Sequence, residues 1–163
     1  MAEAAKYKVD PKVASEALDI LMPKTLLRKQ NTVYFAHAQP VYGTQEEKAN
    51  IYSIAQWFKG YRIVNPADIK ELHIRDMDFY LGVVEKCDAL VFTKFRGFVM
   101  GGVGKEAERA YELGKAVYEL SEIGFTRMAH APEYLSHDET VALLVKVGFR
   151  KEQPKQVEPG QVS

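Results

Sequence analysis

A single carboxylate, Glu106, follows a cluster of glycines in the sequence G-G-V-G-K-E at residues 101–106. Glycines let a backbone approach a ligand closely, and a helix beginning beside them points free N–H groups and its positive dipole end at a bound anion. We expect this helix to span residues 105–113, with Glu106 in its first turn, where the dipole favours an ionised carboxylate. An ionised carboxylate can act as a nucleophile. The alternative is that Glu106 only stabilises the end of the helix.

The segments on either side of the glycine cluster have strand character. Residues 88–93 form a short apolar run, and Gly114 is a typical helix stop before the strand-like residues 116–120. Strand, helix and strand in this order predict a βαβ unit. Such a unit would carry Glu106 on the helix that follows its first strand.

Two further strands are predicted earlier in the chain, at residues 32–36 and 61–64. Between them, Thr44-Gln45-Glu46-Glu47 is a capping-box sequence that opens a helix. The side chains of this helix that we predict to be buried are Ile51, Ile54, Ala55 and Phe58. Short connections between strand, helix and strand imply parallel pairing through right-handed crossovers. The sequence therefore predicts an α/β, Rossmann-like (flavodoxin-like) parallel sheet with helices on both faces, in three layers.

In parallel sheets of this kind, ligands bind at the carboxyl ends of the strands. That rule selects the loop at residues 37–44, the segment from Asn65 onward, and the glycine cluster. A further helix is predicted at residues 74–87 and carries two aspartates. Asp78 lies about 80° from the centre of the apolar stripe of this helix and Asp76 about 120°, so Asp78 is nearer the buried edge.

The spacing G-V-G-K-E-x3-A-x3-G-K-A-V at residues 102–117 resembles the nucleoside 2-deoxyribosyltransferase superfamily. It is most similar to the 2′-deoxynucleoside 5′-phosphate N-hydrolase branch. The resemblance continues in Val33-Tyr34-Phe35 and in the acidic helix before Asp88, and it covers roughly residues 32–120.

The resemblance implies cleavage of an N-glycosidic bond, with the sugar passed to water or to another base. Such cleavage needs a carboxylate on one face of the sugar and a proton donor near the departing base. Glu106 would be the nucleophile, Tyr34 would help to place nucleophile and sugar, and Asp78 would supply the proton. The residues expected to bind the substrate are His37, Tyr80, Gly102 and Gly104.

Two stretches differ from the pattern of the related hydrolases. Tyr80 stands where those hydrolases usually place the aspartate, two positions after Asp78. His37, Ala38 and Pro40 replace the glycine, serine and arginine that follow the first strand in the phosphate-specific enzymes. Since an arginine would grip a phosphate with two hydrogen bonds, the substrate is either a free nucleoside or a nucleotide whose phosphate is held by backbone amides.

Two other functions fit the same residues. Families with a G-G-x-G-T-x-x-E motif, some of them phosphoribohydrolases, resemble residues 101–106 except for the threonine. A non-catalytic nucleotide sensor would keep the pocket without turnover. Release of a free base from nucleosides or nucleotides distinguishes these possibilities.

The 163-residue chain balances 22 basic residues against 22 acidic ones, which gives no sign of a nucleic-acid or membrane-binding surface. We predict an N-terminal extension with one helix over residues 1–30, the α/β domain over residues 31–150, and a flexible tail over residues 151–163. Within the domain, the capping-box sequence Ser136-His137-Asp138-Glu139 predicts a helix that ends at Val147.

The remaining residue types limit the chemistry further. The only cysteine, Cys87, excludes an intramolecular disulfide and is predicted to be buried. The four histidines show no spacing that places two ligands on one helix face, so we expect no metal and no cofactor. No signal peptide or membrane-spanning run is visible, which predicts a cytoplasmic protein. The resemblance implies a homodimer that binds a small nucleoside or nucleotide, and the aromatic-rich loop at residues 95–100 suits an interface.

Overall fold

Short apolar runs form the strands and amphipathic segments form the helices in a computed structural model that describes residues 30–69 and 76–151. The strands are β1 (Thr32–Ala36), β2 (Arg62–Val64), β3 (Ala89–Phe92), β4 (Ala116–Ser121) and β5 (Gly124–Arg127). The helices are α1 (Gln45–Trp57), α2 (Pro66–Ile69), α3 (Met77–Lys86), α4 (Gly101–Glu112) and α5 (His137–Lys146), with a 3-10 turn at Gln39–Val41. Apart from residues 30 and 151, the predicted N-terminal extension and C-terminal tail lie outside the described residues.

The strands form one sheet in the order β2-β1-β3-β4-β5. The first three pairings are parallel, which confirms the predicted α/β, Rossmann-like architecture. No strand was predicted after residue 120, and the sheet has an additional one there, because β5 pairs with β4 in the antiparallel direction. Only two residues separate Ser121 from its partner Gly124, whose φ of +110° lets the chain reverse without a crossover helix.

Alternating side chains of the strands pack into two cores, one on each face of the sheet. Tyr34 and Ala36 of β1 point into the larger core, which residues of α3, α4 and α5 complete. Val33 and Phe35 point to the opposite face, where Ile54 of α1 packs against them. The predicted placement of helices on both faces is therefore confirmed.

Helix α1 begins as predicted, but one half of its capping box is missing. The Thr44 hydroxyl accepts a hydrogen bond from the backbone N–H of Glu47 at 3.2 Å. The Glu47 side chain does not return to the Thr44 backbone; it bonds His37 instead. Ile54 and Phe58 are buried and Ile51 is half-buried, whereas Ala55 is exposed, contrary to prediction.

Helix α4 starts four residues earlier than its sequence indicates, at Gly101, so the glycines belong to the helix rather than to a loop before it. Glycine disfavours helix interiors, and tertiary contacts explain its presence here. A Cβ on Gly101 would lie 3.0 Å from both the Leu135 carbonyl oxygen and Thr140 Oγ1, and the Gly101 N–H donates to that Oγ1 at 2.9 Å. A Cβ on Gly104 would lie 2.1 Å from Cγ of Tyr134. As a result Glu106 lies in the second turn of the helix, not the first.

Helix α3 also differs from prediction at its start. It begins at Met77, and Asp76 is its N-cap, with Oδ1 accepting from the Phe79 N–H at 2.8 Å. Cys87 is buried at the other end, as predicted. The Lys115 ammonium donates to the carbonyls of Glu85 and Cys87 there, which satisfies carbonyl groups that a helix end leaves unpaired.

Helices α3 and α4 are joined by a buried ion pair. Arg109 donates from Nε and Nη2 to one oxygen of Glu85, at 3.2 and 3.1 Å. Breaking such a pair by removing one partner leaves a buried charge uncompensated. The pair therefore holds the helix that carries Glu106 against its neighbour.

Helix α5 follows the prediction closely. Ser136 Oγ accepts from the Glu139 N–H at 3.1 Å, and the Glu139 carboxylate accepts from the Ser136 N–H at 3.0 Å, so both halves of the capping box form. The helix ends at Lys146, with Val147 as its C-cap. Gly148, at φ +80°, stops it in the left-handed conformation that glycine adopts without strain.

Candidate active site

A cavity of about 380 Å³ opens at the carboxyl edge of β1 and β2, beside the start of α4. The ligand site was predicted at this edge, because ligands of parallel sheets bind at the carboxyl ends of the strands. The lining residues from the first half of the chain are His37, Ala38, Gln39, Tyr42, Pro66, Met77 and Tyr80. Those from the second half are Met100, Gly101, Gly102, Val103, Lys105, Glu106, His137, Thr140, Leu144 and Arg150.

Glu106 lies in the wall of this cavity and is only 6% exposed. Its Oε2 accepts a hydrogen bond from the Tyr34 hydroxyl. Burial raises the pKa of Glu106 to about 8, although the hydrogen bond from Tyr34 acts in the opposite direction. The expectation that the helix dipole keeps this carboxyl ionised is therefore wrong: Glu106 is one turn too far from the helix end, and desolvation dominates.

Tyr34 is the hydrogen-bond donor to Glu106. The tyrosine comes from the middle of β1 and has no exposed surface. Burial and then the Glu106 charge raise the pKa of Tyr34 well above its usual value, so the phenol keeps its proton and acts as a donor. The structure thus joins two of the three residues that the resemblance assigns to catalysis.

The third residue, Asp78, does not line the cavity. It is half-buried in the first turn of α3, next to Met77, and the side of the helix that faces the cavity carries Met77 and Tyr80. No position of Asp78 against Glu106 follows from these contacts. The role of Asp78 as proton donor stays a prediction.

The residues predicted to bind substrate separate into two groups. His37, Tyr80 and Gly102 line the cavity, and a Cβ on Gly102 would have no neighbour nearer than the Met77 Sδ at 3.8 Å. Gly104 is not part of the lining and packs against the ring of Tyr134. Close packing, rather than contact with a ligand, explains the glycine at position 104.

Tyr42 is a cavity residue that the sequence did not single out. Burial and then the Glu106 charge raise the pKa of Tyr42 far above its usual value, which places the phenol within electrostatic reach of the carboxyl. Its ring contacts that of His37, with centroids 4.8 Å apart. Tyr42 lies in the loop at residues 37–44 that the strand-end rule selected, but no motif distinguished it from its neighbours.

Three basic side chains line the cavity at its exposed mouth: Lys105, His137 and Arg150. His137 is the first residue of α5, and Arg150 follows the end of that helix. The capping-box sequence predicted α5 itself, but nothing in its spacing indicated that the helix returns over the carboxyl edge of the sheet. The contribution of α5 to the cavity lining was therefore not predicted from the sequence.

Residues 30–69 and 76–151 contain neither a candidate metal cluster nor a candidate membrane-spanning helix. Within those ranges, no group of three or more histidine, cysteine, aspartate or glutamate side chains is arranged to hold a metal ion. None of the helices there has the length and apolar composition that crossing a membrane requires.

The sequence matches no model of a known protein family, and it matches no curated protein. The case for a function therefore depends on the cavity, on the Tyr34–Glu106 pair within it, and on the sequence pattern around them.

Proposed function

We propose that the protein cleaves the N-glycosidic bond of a (deoxy)nucleoside or nucleoside 5′-monophosphate through a glutamyl-sugar intermediate, as a nucleoside 2-deoxyribosyltransferase-like enzyme. The observation that carries the proposal is the Tyr34–Glu106 hydrogen bond in the wall of a cavity at the carboxyl edge of the sheet. The sequence pattern assigns both residues to catalysis. A carboxylate held in a water-poor cavity is suited to react with a cationic sugar carbon.

In the proposed reaction, Oε1 of ionised Glu106 attacks the anomeric carbon, because Tyr34 occupies Oε2. The bond from carbon to the base nitrogen breaks, and its electron pair leaves with the base, which takes up a proton. Water or a second base then attacks the same carbon, loses a proton to the group that protonated the first base, and releases the Glu106 carboxylate. The Tyr34 hydroxyl stabilises the charged form of the nucleophile throughout.

The proton for the departing base can come from Asp78, as the resemblance implies, or from His137, which lines the cavity. Asp78→Asn and His137→Gln separate these assignments. The variant of the true donor should lose about 10² to 10⁴ in rate, and it should lose least on substrates whose base leaves without a proton. The other variant should show no such dependence of its rate on the leaving base.

The charges at the cavity mouth favour a nucleotide over a free nucleoside. Lys105, His137 and Arg150 line the cavity, and the first residues of α4 line it too, so an anionic group bound there would lie near a helix N-terminus. We therefore propose the 5′-monophosphate as the better substrate. A panel of nucleosides and their 5′-monophosphates, assayed for free base, tests both the reaction and this preference.

One observation favours a second function, the binding of a nucleotide without turnover. A Glu106 pKa of about 8 leaves most of the carboxyl protonated at neutral pH, and a protonated carboxyl is a hydrogen-bond donor rather than a nucleophile. Wild-type protein that binds a nucleotide yet releases no base at pH 9, where Glu106 is ionised, would favour this sensor over the enzyme.

We also propose a cytoplasmic homodimer. Phe98 is 49% exposed in a turn that is closed by the Phe95–Phe98 bridge, and an exposed aromatic at a projecting turn suits contact with a second copy. Sedimentation at micromolar concentration should give a dimer. A monomer would remove this part of the proposal and leave the chemistry intact.

A further inference from the structure

His37 has both ring nitrogens engaged inside the protein. Nδ1 lies 3.0 Å from the carbonyl oxygen of Phe35, and Nε2 lies 2.7 Å from Oε2 of Glu47. The ring also stacks on Phe35, with centroids 3.9 Å apart and planes 9° from parallel, and its side chain has no exposed surface. His37 therefore cannot offer an N–H to a ligand without losing one of these bonds, although it belongs to the cavity wall.

Glu47 connects three parts of the loop between β1 and α1. Its Oε2 meets His37 at the start of the loop, and its Oε1 accepts from the Gly43 N–H at 3.2 Å near the end. The Glu47 N–H donates to Thr44, whose hydroxyl donates in turn to the Val41 carbonyl at 2.6 Å. The two ends of the loop are thus tied together through one buried carboxyl group.

The contact between His37 and Glu47 holds a single proton. Because a carbonyl oxygen only accepts, Nδ1 must carry its hydrogen toward Phe35, and one more proton lies between Nε2 and Oε2. Glu47 lies in the first turn of α1, and its Oε1 accepts the Gly43 N–H. Asp68 of α2 is the other carboxyl near the pair: burial and Glu47 raise its pKa, and His37 lowers it.

Tyr42 lines the same cavity as Glu106, as do His37, Ala38 and Gln39 of this loop. Its ring contacts the ring of His37, which is itself stacked on Phe35. The Glu106 charge contributes to the raised pKa of Tyr42, so the two groups are near each other. A shift of the loop by about 1 Å would move Tyr42 with respect to the reacting carboxyl, and such shifts cost up to about 10²-fold in rate.

We propose that the His37–Glu47 pair is a positioning device that acts through Tyr42: it fixes the loop so that Tyr42 contacts the ligand beside Glu106. His37 and Glu47 touch neither the ligand nor the reacting atoms. The ligand contact of Tyr42 rests on the proposed function, whereas the fixing of the loop does not.

Three variants of α1 test the fixing of the loop. Glu47→Ala removes both carboxyl contacts, so the amides of residues 37–44 should exchange hydrogen faster. Glu47→Gln can donate to His37 Nε2 and accept from Gly43, so it should restore slow exchange. Glu46→Gln removes an exposed charge from the same turn and should behave as wild type. Equal exchange in Glu47→Ala and wild type would overturn the proposal.

A double-mutant cycle tests the route through Tyr42. Glu47→Ala should lower kcat/KM for base release by roughly 10- to 100-fold, and Glu47→Gln should recover to within about threefold of wild type. In a Tyr42→Ala background, Glu47→Ala should cause little further loss, because the group that it positions is gone. Additive losses, or a Glu47→Gln variant as impaired as Glu47→Ala with its fold intact, would overturn the proposal.

The same cycle can be measured in the affinity for a nucleoside 5′-monophosphate, with no turnover required. If wild type binds the nucleotide but releases no base, the proposed reaction fails and the cycle still decides the positioning role. If wild type binds no nucleotide, the ligand contact of Tyr42 is overturned, and the exchange experiment alone decides whether the pair fixes the loop.

Discussion

The Tyr34 hydroxyl donates a hydrogen bond to Oε2 of Glu106, which lies 72 residues further along the chain. The contact connects the central part of the sheet with the helix that borders the cavity. Both groups are buried, so each one changes the proton affinity of the other.

Glu106→Gln should abolish base release, by about 10⁴-fold or more, the scale seen when a nucleophile is removed. An amide cannot form the sugar ester, but it has nearly the same size and can still accept the Tyr34 hydrogen bond, so fold and nucleotide affinity should persist. Glu108→Gln is the matched control, since Glu108 lies on the same helix outside the cavity and bonds Tyr134. Near-normal base release by Glu106→Gln would refute the glutamyl mechanism.

The rate of base release should rise with pH and level off above about 8. The nucleophile is the ionised form of Glu106, and burial raises its pKa to about 8. A profile of kcat/KM from pH 5 to pH 10, measured with a substrate whose base needs no proton, reports this ionisation directly. A rate independent of pH across that range would show that Glu106 is already ionised or takes no part.

The free energy of unfolding should depend on the same ionisation of Glu106. It should fall as pH rises, whereas the rate of base release increases. The folded pKa of Glu106 is about 8 and its ordinary value is 4.5, so between these values the folded protein binds a proton that the unfolded chain has released. Wild type should therefore lose stability as pH rises from 4.5 to 8, by at most about 1.4 kcal/mol per pH unit from this group. Glu106→Gln should lack this component when urea unfolding of the two proteins is compared at each pH.

Tyr34→Phe should move the activity profile to higher pH. The hydroxyl lowers the pKa of Glu106 by donating to it, so its removal leaves burial unopposed and raises that pKa further. The buried carboxyl also loses a partner, which should cost about 1 to 3 kcal/mol of stability. Tyr61→Phe is a suitable control on the other face of the sheet. An unshifted profile would mean that the hydrogen bond does not act on the ionisation that limits the rate.

Gly104→Ala should destabilise the protein, whereas Gly102→Ala should not. Both glycines lie in α4, where alanine is intrinsically better by about 1 kcal/mol. The new methyl group would lie 2.1 to 2.4 Å from atoms of Tyr134 at position 104, but 3.8 Å from its nearest neighbour at position 102. Overpacking at position 104 should cost about 1 to 3 kcal/mol in thermal or urea unfolding. Similar stabilities of the two variants would contradict the close packing.

Local sequence signals located most of the elements that frame the cavity. Strand β1 was predicted residue for residue, because a run of apolar strand formers has no competing local preference. The capping box at Ser136 was also predicted, since both of its hydrogen bonds lie within four residues. The start of α4 was not predicted, because the groups that favour glycines in its first turn are distant in sequence. These groups are the Thr140 hydroxyl and the Tyr134 ring.

The candidate site was predictable in part for the same reason. Spacing alone led to Glu106 and Tyr34, which the fold then joins. The position of Asp78 near the buried edge of its helix was predicted from an apolar stripe along that helix. The first residue of the stripe, Ile74, lies outside the described residues. The pKa of Glu106 was predicted in the wrong direction, because helix position is visible in a sequence whereas desolvation by the packed core is not.

The antiparallel pairing of β4 with β5 bears on the order in which the sheet can assemble. Its register joins residues on either side of a two-residue turn, so loop closure is rapid and does not depend on the rest of the chain. In contrast, β1 needs β3, whose aligned residues lie 56 positions away, before it gains a second neighbour. We expect the hairpin to form first, while the strand that carries Tyr34 waits for a long loop to close, which makes the cavity one of the last features to be completed.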